Sequence, residues 1–424
     1  MKKQGQNDPF KGGLMNNKGM EKADMNRMPL EGIYVVEYGV FHAGPGAGAI
    51  LGDLGAEVIK VEDRKGDPER TWRHVAGVDF KMPNGESFMA QISNRNKKGI
   101  CLNIKNEEGR QIFNRLIKKA DVFITNLRKS TEIKLNIDYE NISVINPKII
   151  YSNVSGYGPN GPDNDLGAFD PMGQARSGMM LITGNEEPTI LNLAILDQAA
   201  AIANSHAIIT ALLFRERHGI GQKVEISLLS TAMWLQYVNM MMYGCLSINQ
   251  ISSNRLKSSP LRNCFRCKDG YWIMGAHHDE VSWEILCEAI GMPSLISDPR
   301  FKDSDGRRKN VRELIEIFDS VFARKPRDEW LKLLLSKGLK FTPVQDISEV
   351  FKDPQTILNN YVVDFDYPSI GKVKIPGYPV HFSAARAGTR SAAPAIGEHT
   401  EIVMREIGFT DMEINKLKKD GVIH

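Results

Sequence analysis

Residues 32–62 read GIYVVEYGVFHAGPGAGAILGDLGAEVIKVE and predict a strand, a glycine-rich turn that enters a helix, and a second strand. The first strand is Gly32–Tyr38, the glycine-rich segment is Gly44–Ile50, and the second strand is Leu54–Glu62. Doubly wound folds bind nucleotide-like ligands at the carboxyl ends of such strands and at helix N-termini. The glycines lack the Gly-x-Gly-x-x-Gly spacing directly after the strand, so close packing of the helix explains them equally well.

The alternation of strands and helices continues past this unit. Helix Asn106–Ala120 begins with two glutamates and ends with two lysines, as the helix dipole favours. A long helix is predicted from Asp197 to His218. Further buried strands are predicted at Gly99–Ile104, Asp121–Thr125 and Lys148–Ser152. Residues 30–155 therefore predict an open parallel sheet of the α/β class.

The character of the sequence changes after residue 224. A Met- and aromatic-rich helix at Met233–Tyr243 and a hairpin around Lys268–Trp272 predict a second domain. The Met-rich stripe is more typical of core or interface packing than of a ligand site. The first residues lack the apolar stretch of a secretion signal and predict a disordered extension. The predicted divisions of the chain are 1–28, 29–224, 225–335 and 336–424.

The chain has 424 residues, enough for two domains with separate cores. Its formal charge of +3 is too small to indicate a nucleic-acid partner, and no apolar run approaches the roughly 18 residues of a membrane span. Five cysteines form an odd set that suits a reducing cytoplasm better than a disulfide framework. Cys264 and Cys267 have metal-type spacing, but no second cysteine pair completes a site. A strand that ends in a turn is the more typical interpretation, and no metal site is predicted.

Asp170 lies in the sequence GAFDPMGQARSG, residues 167–178, shortly after the glycine- and proline-rich segment 156–162. An aspartate followed by proline is commonly a helix N-cap, whose carboxylate accepts an orphan backbone N–H. The chain has five Asp-Pro pairs, so the pair alone does not identify a catalytic carboxylate. Neighbouring motifs distinguish Asp170 from the other four.

Motifs along the whole folded part resemble those of one family. They are Ala43-Gly-Pro45, Leu54–Glu62, Asn94-Arg-Asn-Lys97, Ser155-Gly-Tyr-Gly-Pro159, Asp170 with Gln174–Gly178, Gly221-Gln222 and Gly397-Glu-His-Thr400. In this order and spacing they resemble the class III CoA-transferases, the group that contains formyl-CoA, carnitine and bile-acid CoA-transferases. The resemblance covers residues 29–424. It implies a large doubly wound, Rossmann-like domain built from both chain ends, a smaller α+β domain between them, and a homodimer of interlocked subunits.

The resemblance also implies the chemistry. Asp170 would attack the donor thioester to give a mixed aspartyl-acyl anhydride, which CoA thiolate would convert into an aspartyl-CoA thioester. The acceptor carboxylate would then reverse these steps. The anhydride conserves acyl activation, so CoA is exchanged instead of being lost to hydrolysis. The backbone N–H groups of His42 and Ala43 match the family's oxyanion-binding position. The His42 ring could donate too, although a lone histidine in a turn is more often structural.

Acyl-CoA enters this scheme as a substrate, and no permanently bound cofactor is implied. The phosphates of CoA require cationic side chains along their path. The positions that the resemblance implies as contacts of CoA are Arg64, Lys97, Asn126, Lys134 and Tyr157. A solvated surface cation is the alternative for the three basic residues, and plain packing is the alternative for the tyrosine. The glycine-run loop that covers the aspartate in formyl-CoA transferase is not found in residues 245–275, so shielding must come from elsewhere.

Three other functions stay open at this stage. The α-methylacyl-CoA racemases share the fold and the aspartate but use a histidine roughly 30 residues upstream as a second base. No histidine lies between His74 and His206. A nicotinamide dehydrogenase would need a glycine fingerprint that this chain lacks. The third alternative is a non-catalytic CoA-binding subunit of a mixed dimer, and the presence of Asp170 argues against it. The Met-rich helix favours an apolar or aromatic acceptor acid over formate or oxalate.

Overall fold

The computed structural model describes residues 27–75, 77–182, 187–191, 193–249, 254–277, 281–368 and 370–424. The predicted extension at residues 1–28 therefore lies outside the described residues except for its last two. Across the described ranges the chain folds as a mixed α/β protein around a parallel sheet. No described helix combines the length and the apolar character that crossing a membrane requires.

The described residues form the following elements. The strands are β1 (Tyr34–Glu37), β2 (Glu57–Glu62), β3 (His74–Val75), β4 (Val78–Asp79), β5 (Lys97–Cys101), β6 (Val122–Thr125), β7 (Ile150–Ser155), β8 (Gln222–Ser227), β9 (Arg262–Arg266), β10 (Trp272–Ala276), β11 (Phe341–Val344), β12 (Val362–Tyr367) and β13 (Gly371–Pro376). The helices are α1 (Ala43–Asp53), α2 (Phe88–Asn94), α3 (Glu107–Lys119), α4 (Lys129–Lys134), α5 (Tyr139–Ile145), α6 (Asp170–Arg176), α7 (Ile195–His218), α8 (Leu228–Leu235), α9 (Tyr237–Leu246), α10 (Val281–Ala289), α11 (Ser294–Ser297), α12 (Ser304–Lys309), α13 (Val311–Phe322), α14 (Arg327–Ser336), α15 (Ile347–Val350), α16 (Pro354–Leu358), α17 (Thr400–Glu406) and α18 (Asp411–Lys419). A single 3-10 turn spans Pro68–Thr71.

The central sheet is parallel and has the strand order β5-β2-β1-β6-β7-β8. Strands β2 and β5 lie on one side of β1, and strands β6, β7 and β8 lie on its other side. The strand order therefore reverses between β1 and β6. Doubly wound nucleotide-binding sheets have this order, and they bind ligands outside the carboxyl ends of the strands at the reversal. The predicted parallel α/β sheet is confirmed. A ligand site is therefore expected at the loops after β1 and β6.

Helix α1 is buried along its whole length. A β-carbon added at Gly46 would lie 2.9 Å from the β-carbon of Ala201 in α7, and one added at Gly48 would lie 2.1 Å from Oε2 of Glu37 in β1. The glycines of the predicted turn therefore allow α1 to pack closely against α7 and β1. Close packing, one of the two interpretations of the glycine-rich segment, accounts for these two positions.

The last described residues pack onto the central sheet. Val403, Leu417 and Ile423 are buried in the same apolar cluster as residues of β1, β2 and α3. Leu102, which directly follows β5, forms an antiparallel bridge with Ile423. Residues 400–423 therefore contribute to the core that the first strands begin. The domain limits themselves stay a prediction.

A second apolar core lies around the antiparallel sheet β11-β10-β9. Phe265, Phe318 and Phe322 pack ring against ring at its centre. Strand β11 lies beyond residue 335, the predicted limit of the middle domain. Cys264 lies within β9, and Cys267 is buried directly after it, as expected for a strand that ends in a turn. Among the described residues no group of His, Cys, Asp and Glu side chains could hold a metal ion.

The Met-rich segment forms two helices instead of the single predicted one. Helix α8 ends at Leu235 and α9 begins at Tyr237. Gln236 lies between them, and its side-chain amide donates to the Ala232 carbonyl that also accepts its backbone N–H. This local competition for one carbonyl accompanies the break. Helix α9 buries none of its residues in this chain, so packing in the core of the chain does not explain this part of the stripe.

Candidate active site

A cavity of about 450 Å³ opens at the carboxyl ends of β1, β6 and β7, where the strand order reverses. Its wall includes residues 40–43 after β1, residues 126–129 after β6, residues 153–156 at the end of β7, Phe169 and Met172 at α6, and Asp197 of α7. The volume suits a small organic group with a few polar contacts. Asp170 lies beside this wall, between Phe169 and Met172 in the sequence.

Asp170 is the first residue of α6 and is only 4% exposed. Its Oδ2 accepts the backbone N–H groups of Leu196 (2.6 Å) and Asp197 (3.0 Å) near the N-terminus of α7. Its Oδ1 accepts the side-chain amide of Gln174, one turn further along α6. The two backbone donors belong to the first turn of a 24-residue helix, where unpaired backbone N–H groups are common. Donors from two helices thus hold the Asp170 side chain in one orientation.

The aspartates of the other described Asp-Pro pairs bind backbone N–H groups close to them in the sequence. Asp67, Asp298 and Asp353 each accept the backbone N–H of the residue two positions on. The N-cap of α6 is Phe169, and the Asp170 carboxylate accepts its backbone hydrogen bonds from a different helix. The capping interpretation therefore holds for Asp67 and Asp353, which begin short helical segments, but not for Asp170.

The loop between β1 and α1 is held from two sides. Phe41 has a φ of 58°, a conformation that strains a bulky side chain. Asp67 restrains it, because its Oδ1 accepts the Phe41 N–H at 3.1 Å. Asn126 accepts the Val40 N–H at 2.9 Å and donates to the Val40 carbonyl at 2.7 Å. The Asn126 side chain therefore lines the cavity, but its amide group is bonded to this loop and positions it.

His42 and Ala43 follow at the start of α1. In the described part of the chain no acceptor lies within hydrogen-bonding distance of their backbone N–H groups. The His42 ring, in contrast, is fully engaged, with Nδ1 2.9 Å from Ser93 Oγ and Nε2 2.8 Å from Gln198 Oε1. Burial lowers the pKa of His42 to about 4, so the ring is neutral at pH 7. The geometry favours a structural ring, and two residues of the cavity wall keep backbone N–H groups without a described acceptor.

Lys97 is completely buried. Its ammonium group lies 2.7 and 2.9 Å from the two carboxylate oxygens of Glu37, 2.8 Å from the Pro45 carbonyl and 3.2 Å from the Asn94 side-chain oxygen. Burial lowers its pKa to about 8. An ammonium group has three protons, and these acceptors use all of them. Lys97 therefore joins β5 to β1 and α1, and its contacts do not support the predicted contact with CoA.

Lys60 extends this buried network towards the cavity loop. Its ammonium group donates to Glu37 at 3.2 Å, to the Gly39 carbonyl at 2.9 Å and to Asp67 Oδ2 at 2.9 Å. Two lysines thus face two carboxylates in the core, where breaking such a pair is costly. Since Asp67 also holds Phe41, the network connects the sheet to the loop that carries the free N–H groups.

The remaining predicted contacts lie outside the cavity wall. Arg64 follows β2 and Lys134 ends α4, and both side chains are exposed. Tyr157 is half-buried, with the guanidinium of Arg176 4.5 Å from its ring centre. Asn126 is the member of the predicted CoA-contact set that lies in the wall, and its amide is already bonded to the loop.

Other cations do line the cavity, and the sequence analysis missed them. Arg128 and Lys129 are exposed at the start of α4, shortly after β6, and Lys223 of β8 forms an ion pair with Glu225 at 2.7 Å. A signal was present for the first two, because they closely follow a strand whose carboxyl end lies at the reversal of the sheet. No comparable signal marks Lys223, which is the second residue of its strand.

Two acidic side chains in the wall have strongly raised pKa values. Burial raises the pKa of Glu132 to about 7, and Asn153 donates to its carboxylate at 2.5 Å. Burial and the negative charge of Asp170 raise the pKa of Asp197 to about 7. Perturbed acids of this kind concentrate at functional sites. Their positions depend on the tertiary fold, so the sequence alone did not single them out.

Comparison with known proteins decides the family. A sequence model described as CoA-transferase family III matches residues 30–400 of this chain. The chain belongs to CoA-transferase family III. This family member is 33% identical to the succinyl-CoA:glutarate CoA-transferase of Mus musculus, over 96% of the chain and 93% of the mouse protein. It is 32% identical to the (R)-2-hydroxy-4-methylpentanoate CoA-transferase of Clostridioides difficile, over 93% of the chain and 100% of the clostridial protein.

A solved structure agrees with this assignment. The crystal structure of a CAIB/BAIF family protein from Brucella suis superposes on the family III chain with a TM-score of 0.80 at 28% identity, covering 90% of this chain and 100% of the other. The prediction of a class III CoA-transferase, and therefore of an enzyme that uses CoA thioesters, is confirmed. Family III membership favours CoA transfer over the racemase and dehydrogenase alternatives.

Proposed function

We propose that the protein moves CoA from an acyl-CoA donor to a carboxylic acid acceptor, with Asp170 as the nucleophile. The observation that carries the proposal is the setting of Asp170, an oriented carboxylate beside the cavity whose capping role is taken by another residue. One carboxylate oxygen attacks the thioester carbonyl, and the thiolate leaves. The resulting anhydride is attacked by the thiolate at the Asp170 carbonyl, which gives the aspartyl-CoA thioester and frees the donor acid.

The oxyanion of each addition step needs donors that are already in place. The backbone N–H groups of His42 and Ala43 have no protein acceptor among the described residues and lie in the cavity wall. The strained Phe41 and its bond to Asp67 fix their direction before substrate arrives. Preorganised donors of this type account for about 10²- to 10³-fold in rate.

The phosphates and adenine of CoA would approach along the outer side of the cavity. Arg128 and Lys129 are the cations of the wall best placed for this, because both are exposed and follow β6. Arg64 and Lys134 are exposed cations outside the wall, and their part in CoA binding stays a proposal. Lys97 has no part in it, since its ammonium group is occupied.

We propose a homodimer for the intact enzyme. Exposed apolar side chains crowd α8 and α9, including Trp234 (74% exposed), Val238 (75%) and Leu246 (65%). A patch of this kind in a protein of ordinary composition marks an interaction surface. Interlocking of the two subunits would also supply the shielding that the missing glycine-run loop provides elsewhere. A cytoplasmic location is proposed from the five cysteines, all of which are free thiols.

The acceptor acid is proposed to carry an apolar group. The methionines of α9 do not line the cavity, so they no longer support this proposal. The wall itself does, through Phe41, Leu166, Phe169 and Met172. A panel of glutarate, 2-hydroxy-4-methylpentanoate, phenyllactate and oxalate with succinyl-CoA as donor tests it. Transfer confined to oxalate would contradict an apolar acceptor.

The Asp170→Asn variant tests the nucleophile. We expect transfer from succinyl-CoA to fall by about 10³-fold or more, because the variant cannot form the anhydride. Asp353→Asn is the matched control, another Asp-Pro pair whose carboxylate caps a short exposed helix, and it should retain parental activity. In the parent enzyme, intact-protein mass spectrometry should show an adduct of CoA that Asp170→Asn lacks. Transfer by Asp170→Asn near the parental rate would disprove the mechanism.

A further inference from the structure

Asp197 has an unusual position for an acidic side chain. Its backbone N–H donates to Asp170 Oδ2, while its own carboxyl group lies in the cavity wall. In the described part of the chain that carboxyl group has no hydrogen-bond or ion-pair partner, in contrast to the Asp170 carboxylate, which has three donors. The residue whose backbone N–H binds the nucleophile thus has a carboxyl group without a described protein partner, and this group is available to the substrate.

The charge that acts on this carboxyl group is that of Asp170 in α6. The ring of His42, which contacts the adjacent Gln198, is neutral at pH 7. The other charged residues of the described cavity wall form no ion pair with Asp197; they are Arg128, Lys129, Glu132, Lys223 and Glu225. No other described cation forms an ion pair with Asp197. Burial and the negative charge of Asp170 raise the pKa of the Asp197 carboxyl group to about 7, so a proton is available on Asp197 near neutral pH.

We propose that Asp197 is the proton donor and acceptor for the sulfur atom of CoA. The inference rests on the proposed function, in which the thiolate leaves and re-attacks within a single cycle. In the first step Asp170 forms a bond to the acyl carbon, the carbon–sulfur bond breaks, and its electron pair goes to sulfur. The proton of the Asp197 carboxyl group is transferred to that sulfur. The products are the anhydride, CoA as a thiol, and ionised Asp197.

The second step uses the same proton in the opposite direction. Ionised Asp197 takes the thiol proton as sulfur bonds to the Asp170 carbonyl carbon of the anhydride. The donor acid departs as a carboxylate with the electron pair of the broken carbon–oxygen bond. Asp197 is again protonated, so no proton is exchanged with water in a completed half-reaction. The acceptor carboxylate then runs both steps in reverse.

The electrostatics of the pair change in step with this chemistry. The negative charge of Asp170 is one cause of the raised pKa of Asp197, and acylation removes that charge. Asp197 therefore becomes a stronger acid at the moment when the leaving sulfur needs a proton. The second step returns the proton to Asp197 while Asp170 is still acylated, and the part of the pKa shift that is due to Asp170 returns when the Asp170 carboxylate is restored. A carboxyl group whose pKa lies near the working pH and depends on a neighbouring charge is a typical general acid or base.

The test is single-turnover acylation of the enzyme by succinyl-CoA across pH 5.5 to about 9, with the parent, Asp197→Asn and Asp197→Glu. In the parent the rate should fall as the pH rises through the Asp197 titration near 7. Asp197→Asn should be about 10²-fold slower at pH 6.5, and its rate should not show this alkaline fall (the alkaline limb), because an amide is not an acid in this pH range. Asp197→Glu should restore part of the acylation rate, together with the alkaline limb. Binding of CoA to Asp197→Asn, measured by calorimetry, should match the parent and shows that the variant is folded.

The outcomes separate this inference from the proposed function. A parent without the alkaline limb, or an Asp197→Asn variant that keeps it, would overturn the role of Asp197 even if Asp170→Asn is inactive. A fully active Asp170→Asn variant would overturn the proposed function itself. A second donor, the S-phenyl thioester of succinate, sharpens the comparison, since an aryl thiolate leaves without protonation. The deficit of Asp197→Asn should shrink at least 10-fold with it, and an unchanged deficit would assign the residue a purely structural role.

Discussion

Glu69 is completely buried, and its Oε2 atom has no hydrogen-bond partner among the described residues. Its other carboxyl oxygen lies 3.1 Å from Ser93 Oγ, which in turn contacts the His42 ring. Burial and the nearby Asp67 raise the pKa of Glu69 to about 7. The carboxyl group is therefore largely protonated under mildly acidic conditions, and it begins a neutral hydrogen-bonded chain behind the cavity loop.

The Glu69→Gln variant tests this state. The folded-state pKa lies above the ordinary value of 4.5, so the folded protein binds the proton more tightly than the unfolded chain does. Stability is therefore lost as the pH rises from about 4.5 to about 7, and the amide removes that loss. We expect the variant to gain up to about 3 kcal/mol in unfolding free energy relative to the parent between pH 5 and pH 8. Urea titrations at both pH values measure it, and a difference independent of pH would contradict the assignment.

At this scale the sequence was a partial guide. The neighbouring motifs singled out Asp170 because they are contiguous patterns that a sequence displays directly. Lys97 was assigned to CoA because its position matches one that contacts the nucleotide part of CoA in the family that the sequence resembles. Its partners, Glu37 and Pro45, come from a strand and a helix about 50 to 60 positions away, and only the folded sheet brings them together.

Among the elements, α1 depends on residues without side chains. The close approach of α1 to β1 leaves no room at Gly48, where a β-carbon would lie 2.1 Å from Glu37 Oε2. That oxygen accepts a hydrogen bond from Lys97, so any displacement of it disturbs the buried ion pair. Helix α9 offers the opposite environment, since a β-carbon at Gly244 meets nothing within 4 Å.

Gly48→Ala and Gly244→Ala form a matched pair of substitutions. We expect Gly48→Ala to destabilise the protein by about 2–4 kcal/mol, because it separates a buried lysine from its carboxylate. Gly244→Ala should stabilise α9 by up to about 1 kcal/mol through the better helix propensity of alanine. Denaturant midpoints report both changes. Equal and small effects at the two positions would show that α1 has room to move.

The sequence predicted the elements around α1 well, since buried strands and a glycine-rich helix have local signatures. It failed at the Met-rich segment, where one helix was expected and two are present. Hydrophobic residues continue across the break, so periodicity alone gives no reason to divide the segment. The side-chain bond of Gln236 to Ala232 is a property of the folded conformation.

For the whole molecule, the exposed apolar surface of α8 and α9 predicts self-association. We expect Val238→Glu to shift the protein from dimer towards monomer, because the substitution places a charge in the apolar contact. Val144→Glu is the control, since Val144 is also strongly exposed (82%) but lies on α5, outside the α8–α9 surface. Sedimentation velocity at micromolar concentration distinguishes the two species. A Val238→Glu protein that sediments like the parent would exclude this surface as the dimer contact.

At the same scale, the α/β class and the parallel sheet followed from the alternation of strands and helices. The interlocked arrangement came from the family resemblance alone, and periodicity carries no information about it. The position of β11 in the second sheet was missed, because a four-residue strand does not indicate which sheet it joins.

The bridge between Leu102 and Ile423 has a consequence for synthesis on the ribosome. The first strands emerge early, yet part of their apolar covering is encoded more than 300 codons later. Until that segment leaves the exit tunnel, the nascent sheet exposes a face that other chains can bind. We therefore expect the growing polypeptide to be a client of ribosome-associated chaperones for much of its translation, and rare codons late in the message to lower the yield of soluble enzyme.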